Sequence, residues 1–198
     1  MLAVYRRELK KCIRNVIDTL KFRWRVLVNG GYAGSSIIVT HPEYIKIGKK
    51  VRIKKNYRIE CYPKFAGIKL HPKIIFEDGV IIGHNLTIFW GATVRIGADT
   101  IFAGNVTLIS ENHGKNPISD VPYHAQPLTT GPISIGKGCW LGQNVSVLPN
   151  VKIGEKCIIA TNAVVSRDIP DYCIAAGIPA KVVKKYNFKN QKWEKVSE

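Results

Sequence analysis

Acidic side chains are scarce in this chain. Aspartate and glutamate number 14 against 30 lysines and arginines, a formal charge of +16. That imbalance points to an anionic partner: nucleic acid, a phosphate-rich cofactor or an acidic membrane surface. Nucleic acid is set aside, because no nucleic-acid-binding module accompanies the charge. Long apolar runs are missing too. No segment is apolar for long enough to span a bilayer, and the start, MLAVYRRELKKCIRNVIDTLKFRWRVLVNGG, is too heavily charged for a signal peptide. The five cysteines are an odd number without zinc-type spacing, so neither a structural metal nor a disulfide framework is indicated; reduced thiols in a cytoplasm are expected. What remains, 45% hydrophobic and 22% charged residues in 198, suits one globular domain with a sizeable core.

Against that background one regularity stands out. Ile135, Leu141, Val147, Ile153, Ile159 and Val165 recur every sixth residue. Six residues turn an α-helix by about 240°, which would scatter these side chains around it. A strand returns to the same face after any even number of residues, so the period suits strands. A single strand of that length is implausible, and the chain must turn about once per period. Gly136, Gly142 and Gly154 follow the aliphatics, where a corner would need positive φ. The fifth positions, Cys139, Val145, Val151, Cys157 and Ala163, are small enough to point inward. Upstream, Ile47, Ile53, Ile59 and Phe65 keep the spacing, as do Phe76, Ile82, Ile88 and then Ile96, Phe102, Leu108. Hexapeptide periodicity is a signature of a parallel β-helix. Three hexads would close one triangular coil, with coils about 4.8 Å apart.

Three segments depart from the period. Residues 1–34 read as a basic amphipathic helical segment: Leu9, Ile13, Val16, Ile17, Leu20 and Trp24 form an apolar stripe beside Arg6, Arg7, Lys10, Arg14 and Lys21. Such a helix lies on an anionic membrane, or packs its stripe on the β-helix end or a neighbouring subunit. Residues 35–169 form the β-helix, interrupted at 110–132 by a loop rich in proline, with His113, Gly114 and His124. Long loops are usually functional, and this one would project from a corner over a groove. In the tail, 170–198, Pro170 and Pro179 end strand pairing and a lysine-rich short helix or coil is expected. The fold class is therefore all-β, a left-handed parallel β-helix with a projecting loop and short helices at the two ends.

The hexads, the loop with ENHG, the CWLG restart and the ending SRDIPDYCIAAGIPAKVVKKY resemble the left-handed β-helix acyltransferases, closest to the maltose, galactoside and surface-polysaccharide O-acetyltransferases, over residues 36–188. The resemblance implies acetyl-coenzyme A as cofactor, a homotrimer with sites between subunits, and a sugar or glycan acceptor of bacterial capsule or lipopolysaccharide assembly. It implies His113 as general base, a role suited to an imidazole near neutral pH. An oxyanion donor is implied at the backbone of Gly142 or Gln143. Asn85 matches an acceptor-binding asparagine, although an asparagine in a tight corner explains it equally well. Trp90 is expected to stack on the acceptor or be buried at an interface, and His124 to contact the loop or the acceptor. Phe89 and Trp90 stand where sugar-acetylating relatives carry acidic residues, which puts a simple galactoside or maltose acceptor in doubt. Trp140 reads as packing. For coenzyme A the matching positions are Gly142, Thr161, Ser166, Arg167, Lys181 and Lys184. The H-x-x-x-x-H of γ-type carbonic anhydrases is absent, and no metal is expected. An N-acetyltransferase of an amino sugar or antibiotic, and a non-catalytic scaffold, remain as alternatives.

Overall fold

The computed structural model describes residues 2–196, with helix side chains from Arg6 onward; Met1, Ser197 and Glu198 of the terminal segments lie outside the described residues. Three parallel walls wind into a left-handed β-helix. The first wall stacks Tyr32–Ala33, Arg52–Ile53, Ile81–Ile82, Ile101–Phe102, Trp140–Leu141, Ile158–Ile159 and Cys173–Ala176. The second stacks Ser36–Val39, Tyr57–Cys61, Thr87–Trp90, Thr107–Ile109, Ser146–Val147 and Val164–Val165. The third stacks Ile45–Ile47, Lys73–Phe76, Thr93–Ile96, Ile133–Ile135 and Val151–Ile153.

The register follows the hexads. Leu141 pairs with Ile159 and Val147 with Val165, so each aliphatic sits above its equivalent in the next coil. All six aliphatics of the C-terminal run are buried, as are Cys139, Val145, Val151, Cys157 and Ala163. Each buried valine, leucine or isoleucine among them contributes about 1.5–3 kcal/mol by leaving water. Upstream the ladders hold except at two ends of the pattern: Ile47 is only half-buried, and Phe65 leaves the wall altogether. Phe65 belongs to an antiparallel hairpin, Lys64–Phe65 with Ile68–Lys69, that projects between the second and third walls.

The corners differ from expectation in one respect. Positive φ is carried not by Gly136, Gly142 and Gly154 but by residues such as Asn144, Lys156 and Asn162. The glycines serve close approach: a Cβ on Gly136 would stand 2.6 Å from Gly154 of the next coil, and one on Gly142 would stand 2.7 Å from the Thr161 nitrogen. Asparagine tolerates the left-handed region because its short amide bonds locally.

The ends also differ. The N-terminal helix, α1, is not short; it spans Leu2–Val28 and closes the first coils with Phe22 and Val26, both fully buried. Phe22 meets Tyr57 with ring centroids 5.7 Å apart. Of the two readings of the apolar stripe, packing on the β-helix end is not what the fold shows: the stripe is turned outward, with Trp24 64% exposed and Leu20 56%. The C-terminal helix or coil is instead a sheet extension, in which Lys181–Asn187 pairs antiparallel with Cys173–Ala176 and with Lys192–Lys195. Tyr172, Tyr186, Phe188 and Trp193 interlock edge to face and hold it. The chain turns back between Ala176 and Lys181 through Pro179, which is preceded by a cis peptide.

Candidate active site

Two insertions leave the edge between the second and third walls and flank the tight corner Gly91–Ala92. Below it is the hairpin at Lys64–Lys69. Above it is the long loop, whose base is a two-stranded stem pairing Glu111 with Thr130 and Asn112 with Thr129. The Ser110 hydroxyl accepts from the Gly91 nitrogen at 3.2 Å, tying the stem to the corner. The buried amide of Gln126 pins the loop from inside: Oε1 accepts from the Asn116 nitrogen at 3.0 Å, and Nε2 donates to the carbonyls of Asn116 at 2.9 Å and Val121 at 2.8 Å. The stem delivers His113 to the mouth of the groove.

A cavity of about 300 Å³ opens there. His113, Glu111, Glu60, Tyr62, Phe65 and Phe89 are among its walls. The His113 ring faces Phe65 with centroids 6.0 Å apart. Arg58 stacks 5.0 Å above the centre of Phe89 and pairs with Glu60 at 2.8 Å. Glu111 is buried, and its Oε2 has no hydrogen-bond partner. Burial, reinforced by the neighbouring Glu60 charge, pushes its carboxyl up to about 7. An exposed imidazole beside aromatic walls and a half-protonated carboxyl can take a proton from a hydroxyl and hold a sugar ring.

Several expected acceptor contacts lie elsewhere. Trp90 is fully buried, because Ile88 points inward and a residue two positions on shares its face. Phe89 takes the outward position and lines the cavity in its place. Asn85 adopts φ 61° in a corner between the first and second walls. Its Nδ2 donates one N–H to Asn105 Oδ1 at 2.7 Å, the first rung of an amide ladder through Asn144 to Asn162, which leaves its second N–H and its Oδ1 unused on an exposed corner. His124 stands exposed in the turn Tyr123–Ala125, outside the walls of the His113 cavity. Trp140, expected to pack, is 52% exposed on the first wall.

The oxyanion candidates separate. The Gly142 nitrogen already donates to the Ile159 carbonyl at 2.8 Å, a ladder bond that removes it as a donor. Gln143, exposed at the same corner, is the one left. Thr161 stacks one coil above Gly142, with Oγ1 3.0 Å from the point where a Gly142 Cβ would stand. Ser166 and Arg167 are exposed in the turn after Val164–Val165. Lys181 and Lys184 do come together, in a cleft of about 910 Å³ that also contains Lys195.

A family model described as bacterial transferase hexapeptide (six repeats) matches residues 132–167. An Escherichia coli K12 protein provisionally named lipopolysaccharide biosynthesis O-acetyl transferase WbbJ is 32% identical over 170 residues, 80% of this chain and 83% of the relative. The chain belongs to the hexapeptide-repeat transferase family. Galactoside O-acetyltransferase of the same strain is another hexapeptide-family relative, 30% identical over 78% of this chain and 63% of its own length. Among solved structures, a Bacillus cereus N-acyltransferase, AntD, captured with dTDP-4-amino-4,6-dideoxyglucose and coenzyme A, shares the hexapeptide fold with a TM-score of 0.62 at 18% identity over 79% of each chain.

Proposed function

We propose that the protein transfers an acetyl group from acetyl-coenzyme A to a sugar hydroxyl in the assembly of a bacterial capsule or lipopolysaccharide. The observation that carries this reading is the aromatic-walled cavity with His113 at the junction of the two insertions. His113 takes the acceptor proton as the hydroxyl attacks the thioester, and returns it to the departing coenzyme thiolate. The Gln143 N–H stabilises the oxyanion of the tetrahedral intermediate. Family membership supports acetyl-coenzyme A as donor, and coenzyme A accompanies AntD in its structure.

Within one chain these groups lie apart. Gln143 and Thr161 occupy the corner between the first and second walls; His113, Ser166 and Arg167 occupy the next corner round. A homotrimer, in which the corner of one subunit faces the neighbour's loop, brings them to one groove. Lys181 and Lys184 then meet the nucleotide phosphates of the cofactor. The protein works in the cytoplasm. The outward stripe of α1, bordered by Arg6, Arg7, Lys10, Arg14 and Lys21, rests on the anionic inner face of the membrane; among the described residues no helix is long and apolar enough to cross one.

The test is coenzyme A release with purified protein and a panel of hydroxyl and amine sugar acceptors. Release with hydroxyl acceptors supports the reading. Release only with amines replaces it by N-acetylation, and no coenzyme A binding leaves a scaffold.

A further inference from the structure

Beside the His113 cavity, on the third wall, lies a second cleft of about 670 Å³ with a different character. Arg25 of α1, Lys46, Lys69, His71 and Lys73 line it. The one acid among its walls, Glu43, is taken up by His41, whose Nδ1 is 3.0 Å from its carboxylate. None of the four strong cations has a carboxylate partner among the described residues; Arg25 donates to the neutral carbonyl of Pro42. Cations gathered in a concavity repel one another, and an anion there relieves the repulsion.

The cleft and the cavity adjoin. The hairpin at Lys64–Lys69 separates them, presenting Phe65 to the cavity and Lys69 to the cleft. They meet across Gly91, where the point a Cβ would occupy is 3.3 Å from Glu111 Oε2 of the cavity and 3.4 Å from Leu70 Cδ1 of the cleft. The cavity itself offers no spare cation, since Arg58 is paired with Glu60. The cleft also sits among the first coils, on strands Ile45–Ile47 and Lys73–Phe76, whereas the lysines assigned to the cofactor lie beyond the last coil.

We infer that the acceptor is a sugar phosphate ester: the basic cleft binds its phosphate or diphosphate while the ring lies against Phe65 and Phe89 before His113. The inference deepens the sugar-acetylation reading and rests on it. One chemistry covers two sources, a nucleotide-linked and a lipid-linked sugar. Arg25 joins the cleft to α1, so a lipid-linked acceptor would have its phosphate next to the helix that meets the membrane.

The test is calorimetric titration of the full chain with inorganic pyrophosphate, at saturating coenzyme A so that the cofactor's own phosphate site is filled. Lys46, Lys69 and Lys73 are exposed, so Lys46→Ala/Lys69→Ala/Lys73→Ala should retain the fold. It is expected to weaken pyrophosphate binding at least about tenfold, as loss of charge-assisted contacts requires. Lys189→Ala, on the exposed turn between the last two strands, is expected to leave it unchanged. Equal binding by the triple variant and the parent, or no binding by the parent, overturns the proposal. If the triple variant melts early, the milder Lys69→Gln is titrated instead, and an unchanged affinity counts equally against it. Displacement of pyrophosphate by uridine diphosphate glucose, or by a detergent-solubilised long-chain lipid phosphate, supports the proposal and names the source; displacement by neither overturns it. Pyrophosphate binding without coenzyme A release from any acceptor would remove the transfer reading alone and leave the anion site standing.

Discussion

In the proposed mechanism the chemistry turns on His113. His113→Ala should lower acetyl transfer by about 10²–10⁴-fold, the usual cost of losing a positioned acid–base group. Trimer and cofactor affinity should survive, because the side chain is exposed and belongs to no ladder. His124→Ala, outside the cavity, should cost much less; equal losses from both in a coenzyme A release assay would leave the base unassigned. Glu111 gives a second, independent reading. Its carboxyl is raised from 4.5 to about 7 in the folded protein, so proton binding favours the fold. That contribution is fully present below pH 4.5 and is lost as pH rises through about 7. Its ceiling is on the order of 3 kcal/mol. Glu111→Gln should melt like the parent at pH 4.5 and above it at pH 8.5, and parallel melting profiles would contradict the buried-carboxyl account. At this scale the sequence was partly legible. The position of His113, in the long loop where the hexads break, was legible, and its role as base came from the family resemblance and awaits the assay above. Phe89 and Trp90 were legible in principle, since Ile88 fixes the parity of both, but stacking chemistry was weighed for the wrong neighbour. Nothing in the sequence marked Gln126 or Glu60, whose roles depend on what the loop and the adjacent coil place beside them.

At the scale of elements, α1 has a buried face and an outward apolar face for which membrane contact is proposed. Phe22 and Val26 close the core, so deleting the helix would expose the first coil and confuse any membrane assay. Point changes on the outward stripe avoid this. Ile13→Ser/Leu20→Ser/Trp24→Ser should fold normally and lose co-sedimentation with anionic vesicles, and the parent's binding should fall with salt. Pelleting equal to the parent would instead favour a protein partner for the stripe. The helix itself was legible from its 3.6-residue periodicity, but which stripe faces inward was not. The larger apolar stripe suited either a membrane or the β-helix end, and the end accepts instead the narrower pair Phe22 and Val26. The final strands were missed for a related reason. Lys181–Asn187 lies outside the hexad pattern, exposes alternate residues, and is held by aromatic contacts among Tyr172, Tyr186, Phe188 and Trp193 that follow no periodic spacing.

For the whole molecule, the hexads dictated the architecture because every coil repeats the same burial problem and solves it the same way. Function needs more than one such prism, since the proposed donor and base occupy different corners. Light scattering should therefore find a trimer. Lys181→Ala/Lys184→Ala should weaken coenzyme A binding by about 2 kcal/mol if both lysines meet phosphate, and calorimetry showing no change would reject that assignment. A stack of identical coils carries no internal instruction to stop. Each coil offers its open backbone to a further one, and bare ends would template growth from chain to chain as fibrils do. Here α1 covers the first coil, while at the far end the reversed strand Lys181–Asn187 and the lysine-bearing outer strand Lys192–Lys195 replace a parallel edge with a charged antiparallel one. The lysines proposed to serve the cofactor thus stand on the terminator of the array, so that on this reading length control and cofactor capture share one short piece of chain.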